Sequence, residues 1–108
     1  MKDVYLELMA VIVLVFVIGM FSLSMYDNNL CNAIFLAEGG LKATYLYGIV
    51  SVKYKDITEA REICLRTIRN QRIRHLKHKC GLEFLECLAK RYCPYDWETW
   101  LKNVKSAM

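Results

Sequence analysis

Residues 8–26, LMAVIVLVFVIGMFSLSMY, contain no charged side chain and no proline, and their only polar side chains are Ser22, Ser24 and Tyr26. Few folds accept such a stretch. As a helix it rises ~28 Å, close to the ~30 Å hydrocarbon core of a bilayer. In lipid every backbone N–H and C=O must be satisfied within the segment, and for a single segment only a helix achieves this. A core helix that is apolar all round would need a large soluble domain about it. The chain has 108 residues, and many of those outside this stretch are charged. A cleaved signal peptide fits less well. Lys2, Asp3 and Glu7 do not make a positive leader, the apolar run is long, and no small-residue cleavage site follows it. The expectation is a single-pass transmembrane anchor.

One span and one small module are all that this length can hold. The net charge is +4, and its positive excess falls between Arg61 and Arg91. That balance predicts an anionic neighbour: lipid headgroups, an acidic subunit surface or RNA. Lys and Arg are nearly balanced across the two flanks, so the positive-inside rule sets no clear orientation.

The chain divides into an anchor with its flanks (residues 1–29), a membrane-proximal segment (30–55) and an amphipathic helical module (56–108). In the middle segment three readings compete. The helix continues to Glu38 and stops at Gly39-Gly40; a strand pair turns there, its second strand carried by the alternation over residues 44–55; or residues 30–52 cross the membrane again, with Glu38 and Lys42 as costly charges. Asp56 and Glu59 form a capping box. Ile57, Ala60, Ile63, Cys64, Thr67 and Ile68 then follow helical spacing, with Arg61, Arg66 and Arg69 on a basic solvent face. Around Asn70-Gln71 the apolar stripe shifts, which suggests a bend near Asn70 or a change of packing partner. Gly81 is a further break, Pro94 ends the next helix, and Asp96 caps a last short one. The fold expected is mainly α, with a short β segment and a disulfide-linked module.

No catalytic arrangement is present: there is no phosphate loop, nucleophile elbow or recognisable carboxylate pair. No cofactor and no metal site are expected. His75 and His78 suit one helix face, but Cys80 and Cys87 lie about 10 Å apart along a helix. Arg69, Arg72, Arg74, Lys77 and Lys79 form a basic run suited to anionic lipid. Without interleaved aromatics it suits single-stranded RNA less. Cys64 with Cys93 and Cys80 with Cys87 would nest as two disulfides in a helical hairpin, or remain as buried thiols. Trp97, Trp100, Leu101 and Val104 share one face of the last helix, which is expected to dock on a partner, to anchor at a membrane surface or to close the module's own core.

Two resemblances bear on function. Leu6-Glu7-Leu8-Met9 followed by β-branched residues resembles the start of type IV pilins, which implies a filament subunit. The family's Glu, matched by Glu7, neutralises a neighbouring subunit's amine. The C-terminal part is nonetheless helical and basic rather than sheet-like. The four later cysteines loosely resemble the twin-cysteine hairpins of the mitochondrial intermembrane space, although their spacing departs from that family's. By analogy of architecture, the leading expectation is a non-catalytic accessory subunit of a large membrane complex, in a mitochondrial inner-membrane respiratory or ATP synthase assembly. A membrane-anchored RNA-binding subunit is second and a pilin-like subunit is a minor alternative. A membrane enzyme with an unrecognised site stands behind the RNA-binding reading.

Overall fold

The apolar run nucleates a much longer helix than a bilayer needs. In the computed structural model, which describes residues 2–77 and 80–108, α1 runs over Lys2–Ala37 without a break. It crosses the expected segment boundary at residue 29. Its first part is long and apolar enough to cross a membrane, and no residue of its most apolar window is buried. From Asp27 on, one side turns inward, with Asp27, Leu30, Cys31, Ala33 and Ile34 all buried. The helix stops where Gly39 and Gly40 take positive φ of 107° and 62°, a left-handed turn that glycine adopts without a Cβ penalty.

Around this rear third three shorter helices fold back: α2 (Ile57–Leu76), α3 (Phe84–Tyr92) and α4 (Trp97–Ala107). Asp56 caps α2, its Oδ1 accepting from the Glu59 N–H at 2.9 Å, and Glu59 Oε2 reaches back to the Lys55 N–H at 3.3 Å. Ala60, Cys64 and Ile68 form the buried stripe of α2, and Gln71 continues it; of the two expectations at Asn70 the bend is not seen, since the helix runs unbroken from Ile57 to Leu76. Gly81, at φ 76°, breaks the chain before α3, and Cys80 and Cys87 form a disulfide across that turn. Pro94 follows α3 as expected. Asp96 precedes α4 but its side chain makes no capping bond.

The strand expected over residues 44–55 is absent. This segment holds a 3-10 turn at Leu46–Gly48, and the described residues contain no strand. A lone strand has no partner whose backbone could satisfy its polar groups. Instead Tyr47 and Ile49 turn into the core, and the Tyr47 ring packs 5.0 Å from Phe35. The Tyr54 hydroxyl accepts from the Leu46 N–H at 2.8 Å, closing the loop on itself. Since α1 ends at Ala37, a second helical span is not formed either.

Gly48 sits at φ 69°, and a Cβ there would lie 2.7 Å from the Glu38 carboxyl carbon. Glu38 cannot swing away freely, because its Oε1 accepts from Trp100 Nε1 at 2.7 Å. Gly48→Ala is expected to destabilise the module by about 1–3 kcal/mol, through left-handed strain and the displaced Glu38. A fall in the urea midpoint of helix unfolding would show it. An unchanged midpoint would mean that Glu38 does not hold Trp100 in place.

Candidate functional site

The chemistry-bearing side chains gather where α2 crosses the rear of α1. Asn28 and Asn32, one turn apart on α1, present two side-chain oxygens in a row. Arg61 of α2 meets both. Nη1 donates to Asn32 Oδ1 at 2.8 Å and to the Tyr47 hydroxyl at 3.3 Å, while Nη2 donates to Asn28 Oδ1 at 2.9 Å and to its backbone carbonyl at 3.4 Å. The planar fork suits such a row of acceptors in a way that a lysine ammonium does not. Arg61 was expected on the solvent face. The signal that identifies its true partner is the Asn-x-x-x-Asn spacing just past the apolar run.

One turn further, the Cys31 and Cys64 sulfurs lie 2.8 Å apart, both residues wholly buried. The hydrogen bond to Cys64 and burial push the Cys31 thiol far above its ordinary value. The Tyr92 hydroxyl is buried beside Cys64 and has no hydrogen-bond partner among the described residues. Burial, then the Cys64 charge, push that phenol far up as well. The expected Cys64–Cys93 bridge is therefore replaced. Cys64 faces Cys31 across the α1–α2 contact, and Cys93 stands free and half-buried at the end of α3. The expected Cys80–Cys87 pairing is the one at bonding distance.

This arrangement predicts a labelling pattern. In the native protein a thiol reagent should modify Cys93 but neither Cys31 nor Cys64, and Cys80 and Cys87 should react only after reduction. Mass spectrometry of the digested protein reads all five positions. Rapid native labelling of Cys31 or Cys64 would show that the α1–α2 contact opens readily.

The third link joins Arg72 of α2 to Asp27 of α1 by an ion pair. The Arg72 guanidinium lies 4.6 Å over the Phe84 ring and 5.9 Å from the Tyr26 ring, and its Nε is buried with no acceptor among the described residues. Of the basic run, Arg69, Arg74 and Lys77 are exposed, and Lys79 lies outside the described residues. Beside Arg72 opens a groove of about 510 Å³ between the end of the apolar stretch and the second half of α2.

The expected docking face on α4 turns inward. Trp100, Leu101 and Val104 are buried in the module's own core, and Trp100 stacks on Tyr92 with ring centroids 5.0 Å apart. Trp97 stays half-buried beneath Lys90, whose Nζ lies 5.1 Å from its ring centroid. The apolar face of α4 finds its wall in Leu30, Ala33 and Ile34 of the long helix, within one core cluster.

Compared with family profiles, with curated proteins and with solved structures, the chain finds no match. Fold and site together define a class by architecture: a small helical protein whose module is clamped to the rear of one long apolar helix.

Proposed function

We propose that this chain is a single-pass membrane protein serving as a non-catalytic accessory subunit of a larger membrane complex. The observation that carries this reading is the exposure of α1. Every residue from Asp3 to Tyr26 is exposed, and the module covers only the rear of the helix. An apolar helix of this length left in water would aggregate, and a bilayer solvates it. The non-catalytic part rests on how the polar groups are used. Arg61, Asn28, Asn32, Asp27, Arg72, Glu38 and Trp100 all bind one another across helix junctions. Leu36 at the end of α1 and Leu41 in the turn after it remain 62% and 79% exposed, an apolar surface for other subunits of the complex. The Cys80–Cys87 disulfide favours an oxidising compartment for the module. Placement in a mitochondrial inner membrane rests on the many small one-span subunits of respiratory and ATP synthase complexes.

The test is purification of the full chain from its native membrane in mild detergent, followed by native electrophoresis. The reading expects a large assembly that persists after carbonate, high salt and nuclease. Migration as a free monomer would contradict the subunit assignment. Release by salt or nuclease would point to RNA at the basic run.

A further inference from the structure

We propose that the groove beside Arg72 seats one anionic phospholipid. This rests on the reading that α1 spans a bilayer. From the Arg61 contact with Asn28 and Asn32, α2 runs back along α1 toward the apolar stretch. Arg72 reaches Asp27, and Ile73 and Leu76 share the groove with Met20 and Leu23. The last turns of α2 therefore reach the level where the span leaves the hydrocarbon.

The groove has a headgroup end and a chain end. Met20, Leu23, Ile73 and Leu76 form its apolar wall, continuous with the lipid-facing surface of α1. Ile73 and Leu76 are 51% and 74% exposed, on the same helix that buries Ile68 completely. Arg69 and Arg72 line the same groove. Asp27 neutralises one of these two cations, leaving a net single positive charge from Arg69, which makes no ion pair among the described residues. That balance fits one phosphodiester anion. A zwitterionic headgroup would bring its own cation to the same rim. The volume, about 510 Å³, lies within the range of small-molecule sites. A partner helix is a poorer fit, because the rim carries two arginines where helix interfaces in lipid use small residues that let backbones approach closely.

The experiment uses the full chain in phosphatidylcholine nanodiscs doped with phosphatidylglycerol that carries a photoactivatable diazirine on one acyl chain. Cross-linked peptides are mapped by mass spectrometry. Adducts should concentrate at Met20–Leu23 and Leu65–Leu76, above a uniform background at residues 8–18. Arg69→Gln should lower the groove adducts roughly tenfold, the scale of one charge-assisted hydrogen bond. Arg66→Gln, on the exposed side of the same helix, should leave them unchanged. Equal groove labelling by a phosphatidylcholine probe would overturn the proposal. So would background labelling at residues 8–18 with none in the groove, the pattern of a groove filled by another subunit. If residues 8–18 themselves take no label, the membrane reading has failed and this proposal falls with it.

Discussion

Arginine at positions 13 and 17 together should strip the protein from the membrane. Residues 8–26 contain eleven Val, Leu, Ile and Phe residues. At ~0.3–0.6 kcal/mol each they favour insertion by about 3–7 kcal/mol. One central arginine costs ~2.5–3.5 kcal/mol on the same scale, so Val13→Arg alone removes about half of that preference or more. Val13→Arg with Val17→Arg removes nearly all of it. Both side chains are 55% exposed on α1 and stand outside the core cluster, so the module should still fold. Carbonate extraction measures the result. The double variant should move to the soluble fraction, with the single variant partly retained. Full retention of the double variant would place the span elsewhere.

The second large effect is expected at Arg61. Arg61→Met keeps much of the stem's packing and removes every donor that reaches Asn28, Asn32 and Tyr47. Hydrogen bonds from a charged donor contribute ~1.5–3 kcal/mol each, and partial solvent access reduces this, so a total loss of about 2–4 kcal/mol is expected. The module should lose cooperative unfolding by urea while α1 keeps its helix signal. Arg61→Lys should recover little, since one ammonium cannot bridge both Asn side chains with the geometry of a fork. A variant as stable as the parent would mean that α2 is held to α1 by its apolar stripe alone.

The long apolar helix was legible in the sequence because its signal is a property of one segment. The absence of charge over residues 8–26 needs no partner to interpret. The Asp56–Glu59 cap, the Gly81 break and the Pro94 stop were legible for the same reason, each being a local backbone requirement met by the residue type at that position. The helix end at Gly39-Gly40 was among the alternatives and was selected by glycines able to take positive φ. What could not be read locally was which surface the rear of α1 offers. Leu30, Ala33 and Ile34 look like a continuation of the anchor, yet they are the wall against which Trp100, Leu101 and Val104 pack. Without that wall in view, the apolar face of α4 suited a foreign partner as well as the module's own core. Cys31, close to the apolar run and apart from the four later cysteines in sequence, gave no local sign of pairing, which left Cys64 to be paired with Cys93. Residues 44–55 misled through their alternation, because a β-branched and aromatic run reads as a strand whether or not a second strand exists to bond it.

The central claim is that residues 8–26 of α1 lie in lipid while residues 27–37 serve as the spine of the module. Amide hydrogen exchange on the full chain in lipid nanodiscs tests it most directly, with Ala60–Ile68 as an internal gauge that the module is folded. Residues 8–26 should stay protected for hours, and a urea concentration that releases Ala60–Ile68 should leave them protected. Exchange of residues 8–26 within minutes, while Ala60–Ile68 remains protected, would contradict the account.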